Sequence, residues 1–393
     1  MLQKIKTLAA AYAPELIEIR HHLHAHPELS YQEFETSKFI QDQLSKMGIP
    51  FKVMATTGVV GLIEGKNPGS RIVALRADID ALPITEENDI AYRSKNEGVM
   101  HACGHDVHTT CLLGAARILN ELRQEWEGTV KLIFQPGEEK NPGGASLLIE
   151  EGVLENPEPS AIFGLHVHPG LQVGKMSFRA GKVMASADEL YLTIKGKGGH
   201  AAAPHLCVDP ILIASHLITG LQQIVSRNNN PHNPTVLSIT SIHGGSTTNV
   251  IPGEVKLKGT FRAMDEEWRF KAHELIKQYS NSIVQGMGGE LELLIDVGYP
   301  SVYNHEQLNE VAREKAIEFI GSENVEETEK RMGAEDFGYY SQEIPGCFFR
   351  LGVMNERKGI TSGVHTPTFN IDESAIETGM GFMAYLGAST NFN

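Results

Sequence analysis

The stretch RIVALRADID, residues 71–80, decides the fold. After Arg71 comes a run of β-branched and apolar residues long enough for one strand, and the run breaks at Asp78 and Asp80. An apolar run without polar alternation reads as a strand buried on both faces. Two more such runs follow: TVKLIFQPGEE (129–139), which stops at Pro136, and AIFGLHVHP (161–169), which stops at Pro169. Between the first two, apolar residues recur at helical spacing from about Val107 to Arg123. Strands alternating with helices predict an α/β sheet covered on both faces. Polar residues gather where each strand ends, the edge at which open α/β sheets carry their sites.

The middle of the chain has a different rhythm. ELYLTIKG (189–196) reads as a strand, 209–227 as a helix, TVLSITSI (235–242) and EVKLKGTFRA (254–263) as strands, 266–285 as a helix and ELELLIDV (290–297) as a strand. That order, β-α-β-β-α-β, is a ferredoxin-like unit, and it predicts a small domain inserted into a larger one. The expected boundaries are 1–184 and 298–393 for the larger domain and 185–297 for the insertion. Beyond it the α/β character returns, with a helix near 308–320, a strand near 347–351 and a last helix from about Ser374.

Composition narrows the function. The 393 residues carry a formal net charge of −15, which argues against a nucleic-acid surface, since phosphate binding draws on clustered Lys and Arg. No apolar run reaches the roughly 20 residues needed to span a bilayer, and the N-terminal stretch MLQKIKTLAAAYAPELIEIR lacks the core of a signal peptide. The expectation is a cytoplasmic protein with no membrane partner. Four scattered cysteines (Cys103, Cys111, Cys207, Cys347) do not make a disulfide framework, so a metal or catalytic role for one of them is the better reading.

The chemistry concentrates in HACGHDVHTT, residues 101–110. Cys103 and His105 lie in a glycine-containing loop just before a helix; Glu138, Glu139 and His166 stand at strand ends; GVHTPTF supplies His365 from far downstream. A thiolate, carboxylates and imidazoles suit borderline divalent metals such as Zn, Mn, Co or Ni better than Mg or Ca. A lone histidine at a strand end is usually just a satisfied polar group, but five metal-binding side chains at one edge of one sheet are not explained that way. Adjacent side chains in an extended segment diverge, so Glu138 and Glu139 need not share a role. Cys103 with a neighbouring histidine also fits a thiol nucleophile, which leaves Glu138, Glu139, His166 and His365 without a task. A metal-binding scaffold without catalysis is the third reading. Chelation separates the thiol enzyme from the metal enzyme.

Nine motifs in order, RHHLHAHPELSYQE (20–33), RADIDALP (76–83), HACGHDVHT (101–109), FQPGEE (134–139), GLHVHP (164–169), GKGGHAAAPH (196–205), TNVIPGEVKLKGTFR (248–262), GAEDFGYY (333–340) and HTPTF (365–369), run over nearly the whole chain. On them the chain resembles the M20 metallopeptidase family, in its amidohydrolase branch of hippurate hydrolase, N-acyl-amino-acid amidohydrolase and auxin-conjugate hydrolase type. The resemblance implies a zinc-peptidase-like α/β catalytic domain with the ferredoxin-like insertion as lid or dimerisation domain. It implies two divalent metal ions held by Cys103, His105, Glu139, His166 and His365, with Cys103 between them, Glu138 as general base and Asp80 orienting a ligand. Asp78 stands where the wider family often has histidine and is not counted as a ligand. His200 matches a histidine that reaches a partner subunit's site, with His205 a rival, and Asn249 and Arg262 match substrate-binding positions, a guanidinium being suited to a substrate carboxylate. The implied reaction is hydrolysis of N-acyl amino acids by a homodimer; a metallo-carboxypeptidase or dipeptidase acting on short peptides is the alternative. His21, His22, His24 and His26 read as packed or capping residues, His101, Asp106 and His108 as supports behind the ligands, and GAEDFGYY as a loop lining the pocket.

Overall fold

The run at 71–80 becomes the strand Ile72–Asp78, buried from Val73 onward as its uninterrupted apolar character demands. The computed structural model describes residues 1–392. The chain forms two compact units, one of Met1–Gly181, Tyr303–Glu329 and the residues from Tyr339 on, the other of Lys182–Val302 with Lys330–Gly338.

The first unit is built on an eight-stranded sheet. Its order is Phe51–Met54, Gly58–Glu64, Thr129–Gln135, Ile72–Asp78, Ala161–Gln172, Gly346–Met354, Met176–Phe178, Val325–Glu327. The four strands from Thr129–Gln135 to Gly346–Met354 run parallel, and the neighbours flanking these four pair antiparallel to them. Helices His105–Glu121 and Gly144–Glu150 join the first three in chain order, the second unit intervenes in the chain before the fourth, and because all four are parallel their C-terminal ends share one edge. Helices Leu2–Ala25, His105–Glu121 and Ser374–Ser389 contribute to one core with the sheet. Close helix packing depends on two glycines. A β-carbon at Gly114 would lie 2.5 Å from Met380 Sδ, and one at Gly379 would lie 2.6 Å from Cys111 Sγ.

The strand expected to stop at Pro169 continues to Gln172. Pro169 removes only one donor, and the pairing with Gly346–Met354 shifts register just beyond His168–Gly352, so the proline falls where the ladder is already irregular. His166 therefore sits inside a strand rather than at its end. Part of GAEDFGYY, expected as a loop, forms the short helix Phe337–Glu343.

The second unit carries a four-stranded antiparallel sheet in the order Thr235–His243, Glu254–Ala263, Asp188–Lys195, Glu290–Val297. With helices Pro210–Gln223 and Glu266–Gly286 this is the ferredoxin-like β-α-β-β-α-β arrangement. Asp209 accepts from the backbone N–H of Ile211 and Leu212, and Asp265 from that of Trp268, so each helix begins at a side-chain cap. Leu190, Leu192 and Ile194 alternate inward and join Leu217, Leu221, Ala272 and Ile276 in a separate core. Among the described residues no helix is long and apolar enough to cross a membrane.

Candidate metal centre

Three chain segments leave the C-terminal edge of the first unit's sheet and converge. Ile72–Asp78 delivers Asp78 and Asp80; Thr129–Gln135 delivers Glu138 and Glu139 through Pro136 and Gly137; the loop before helix His105–Glu121 delivers Cys103. Gly137 makes the turn possible. Its φ is +58°, and a β-carbon there would lie 2.2 Å from the Tyr31 ring. His365 arrives from the remote loop in a left-handed conformation, φ +60°, its backbone N–H donating to Ala102 O at 2.7 Å.

The potential ligands fall into two groups that share one atom. Cys103, His105 and His166 present donor atoms within 4.8 Å of one another, and so do Cys103, Glu139 and His365. Cys103 Sγ lies 3.5 Å from His166 Nε2 and 3.3 Å from His365 Nε2, which in turn is 3.2 Å from Glu139 Oε1. Glu138 joins His105 and Glu139 in a third group. The structure thus gathers Cys103, His105, Glu138, Glu139, His166 and His365 at one place.

The ring orientations are fixed from behind. His105 Nδ1 is 3.1 Å from Asp80 Oδ1, and His166 Nδ1 is 2.7 Å from the Val167 carbonyl, so each ring donates there and leaves its Nε2 for the site. Asp80 Oδ2 also accepts from Ser30 Oγ at 2.6 Å and from the Glu139 N–H at 3.0 Å. Asp78 is engaged differently: Arg76 Nη1 donates to it at 2.7 Å and His108 Nδ1 at 2.5 Å, while His108 Nε2 accepts from the Val167 N–H at 2.9 Å. His108 and Asp78 therefore brace the wall of the site. Asp106 points away, to Arg20 and His24, and His101 is buried with neither ring nitrogen hydrogen-bonded among the described residues.

These residues fit divalent cations. His105 Nε2 is shut off from solvent with no hydrogen-bond partner among the described residues. Negative charge is in surplus around both groups. Burial, reinforced by the charges of Glu139, Glu138 and Asp78, pushes the Cys103 thiol well up. Burial opposes charge on His105, yet Asp78, Asp80 and Glu139 override it and lift the imidazole to about 10. Cations held by these groups would reverse both tendencies, favouring the thiolate and the neutral imidazole.

The supports that sequence reasoning missed come from residues 20–33. Glu33, fully buried, accepts from the N–H of Tyr31 (2.8 Å), Thr57 Oγ1 (2.7 Å) and the N–H of Gly137 (2.8 Å), which holds the turn that aims Glu138 and Glu139. The available signal was a glutamate closing a polar motif in front of a helix.

His200, Asn249 and Arg262 lie in the second unit. His200 pairs with Val250 in a two-residue ladder, the Ala201 N–H donates to Asn249 O at 3.0 Å, and Thr247 Oγ1 donates to Asn249 Oδ1 at 3.2 Å, so His200 and Asn249 are neighbours. His205 is exposed in the one-turn helix Pro204–Leu206. Arg262 stands near the end of Glu254–Ala263, its Nε donating to Thr260 Oγ1 at 3.1 Å, and burial lowers its pKa.

The model of peptidase family M20/M25/M40 matches residues 74–388. Thermostable carboxypeptidase 2 of Saccharolobus solfataricus is 40% identical over 384 residues, 96% of this chain and 96% of that one. N-acetylcysteine deacetylase of Bacillus subtilis is 40% identical over 381 residues, 96% of this chain and 97% of that one. The crystal structure of the Bacillus subtilis YXEP protein, described as a dinuclear metal-binding peptidase of the M20 family, matches with a TM-score of 0.83 and 37% identity, covering 96% of this chain and 98% of that one.

Proposed function

Because the chain belongs to peptidase family M20/M25/M40 and is a metal-dependent hydrolase, we propose that it cleaves the amide bond of N-acyl amino acids, releasing a carboxylic acid and a free amino acid. The observation that carries this reading is the pair of ligand groups sharing Cys103 with Glu138 beside them. Two divalent ions held by Cys103, His105, His166, Glu139 and His365 would supply Lewis acidity toward the amide carbonyl and acidify a water. Glu138 takes the proton from the attacking water and returns it to the departing amine, acting first as base and then as acid. Asp80 keeps His105 in the tautomer that leaves Nε2 free. On the family resemblance, Arg262 and Asn249 are the candidates to hold the substrate carboxylate, and the partner subunit's His200 is the candidate donor to the developing oxyanion. In this reading the enzyme works as a homodimer through its second unit, which exposes Leu206, Ile211, Leu212, Ile242 and Val250.

The test is release of free amino acid from a panel of N-acyl amino acids and dipeptides, before and after chelation and after return of Mn, Zn, Co or Ni. Turnover lost on chelation and restored by metal is expected. Turnover indifferent to chelation would return the thiol reading. Glu138→Gln should keep its metal while kcat falls roughly 10²–10⁴-fold; near-normal turnover in that variant would remove Glu138 from its role. The similarity to a carboxypeptidase supports a second reading, peptide cleavage at the same centre, and the preferred panel member decides between the two.

A further inference from the structure

Arg20 is fully buried in helix Leu2–Ala25, and its guanidinium reaches three separate places. Nε donates to Asp106 Oδ2 at 2.9 Å, Nη1 to Glu373 Oε1 at 3.1 Å and Nη2 to Asn370 Oδ1 at 3.1 Å, while the Tyr92 ring lies 4.8 Å from Cζ. Asp106 directly follows His105 at the start of helix His105–Glu121. Asn370 and Glu373 belong to the stretch that descends from His365. One rigid fork therefore ties the segment bearing Cys103 and His105 to the segment bearing His365.

A second strap runs beside it. His24 Nδ1 lies 2.9 Å from the same Asp106 Oδ2, and its Nε2 lies 3.1 Å from Glu86 Oε1. The residues after Glu86 lace onto the His365 loop, since the Glu87 N–H donates to Pro367 O at 2.8 Å and Asn88 Nδ2 to Phe369 O at 3.0 Å. His365 occupies the left-handed region, where a residue with a β-carbon stays only if its surroundings over-determine it.

We propose that Arg20 is a positioning residue for the Cys103–Glu139–His365 half of the metal centre. It fixes the span between Cys103 and His365 and so sets the affinity for the ion of that half more strongly than for the ion of the Cys103–His105–His166 half, which shares Cys103 but holds its histidines by other contacts. This rests on the metal-centre reading above. His166 is held by its own strand and Val167, and His105 by Asp80, none of which touches the fork.

The test is a titration of chelator-stripped protein with Co(II), followed by calorimetry and by the thiolate-to-cobalt absorption that reports on Cys103. Wild type should take two equivalents. Arg20→Met should weaken one equivalent at least about tenfold and the other distinctly less, and Arg20→Lys, which keeps the charge without the fork, should fall between. Both equivalents unchanged, or both weakened in parallel, would overturn the proposal, because a merely structural residue lowers the melting temperature without splitting the two ions. If Arg20→Met does not fold, Asn370→Ala removes one arm from a half-buried position: the same split at about threefold supports the fork, and wild-type binding of both ions overturns it. A wild-type protein that takes up no cobalt refutes the metal-centre reading itself, a failure distinct from any result with the variants.

Discussion

Replacing Asp80 with asparagine changes one atom and should disturb both metal half-sites. The carboxylate is buried and accepts three hydrogen bonds, from His105 Nδ1, Ser30 Oγ and the Glu139 N–H. Hydrogen bonds to a charged acceptor are worth about 1.5–3 kcal/mol each, so the site is strongly committed to an anion there. Burial works against that charge, but the His105, Ser30 and Glu139 donors prevail and hold the carboxyl below its ordinary pKa. An amide cannot satisfy all three donors. If its NH2 faces His105, the ring must accept at Nδ1 and carry its proton on Nε2, the nitrogen left for the site. If the NH2 faces Glu139 instead, two donors meet and the Glu138–Glu139 turn must move. Either outcome should cost about 10–100-fold in metal affinity, roughly 1.4–2.7 kcal/mol, with a parallel loss of amide hydrolysis at limiting metal. A chromophoric chelator competing for Zn or Co gives the affinity directly. Metal binding within twofold of wild type, with unchanged turnover, would show that Asp80 does not orient His105 and Glu139.

Three further perturbations probe other links. Cys103→Ser removes the atom common to both ligand groups, so both Co(II) equivalents should weaken together and the thiolate absorption should vanish; persistence of that band would place the thiolate elsewhere. Gly137→Ala forces a β-carbon into the Tyr31 ring and shifts Glu138 and Glu139 without altering them, and a displacement near 1 Å can lower kcat about 10²-fold; wild-type turnover in this variant would refute the claim that the turn aims the carboxylates. In the second unit, burial tends to raise the Asp188 carboxyl, but His273 and Arg269 prevail and hold it below its usual range. A carboxyl depressed in the folded state stabilises above its unfolded pKa, about 3.9, and loses that contribution as pH falls through the folded value. Urea unfolding of wild type should weaken on acidification below about pH 4, and Asp188→Asn should be less stable near pH 7 with a flatter acid limb; parallel pH profiles would contradict this.

The fold was legible because its signals are local. Ile72–Asp78 and Thr129–Gln135 are uninterrupted apolar runs, and Asp188–Lys195 alternates inward and outward, so the doubly covered sheet and the two-layer unit announce themselves through different periods. The expectations that failed were those in which a tertiary partner overrode a local sign. Pro169 did not end its strand because the neighbouring ladder was already slipping there, and GAEDFGYY, rich in loop-forming residues at its start, closes as a helical turn from Phe337.

Most of the candidate ligands could be read for the same reason: Cys103, Glu138, Glu139 and His365 stand in loops or where a strand leaves the sheet, and cysteine, histidine and glutamate are recognisable in such places, whereas His166 lies within its strand. The supports that come from the N-terminal segment could not. Nothing in the spacing of residues 20–33 says that Glu33 receives the N–H of Gly137, that Ser30 donates to Asp80, or that Arg20 forks between Asp106 and the His365 loop. Yet those pairings follow from one constraint. A buried carboxylate or guanidinium is tolerated only when its hydrogen-bonding atoms find partners. Glu33 and Arg20 are fully buried, and the groups that satisfy them are the very turns and loops that present Glu138, Glu139 and His365. The N-terminal helix and the site segments must therefore order together, because neither can bury its polar groups without the other.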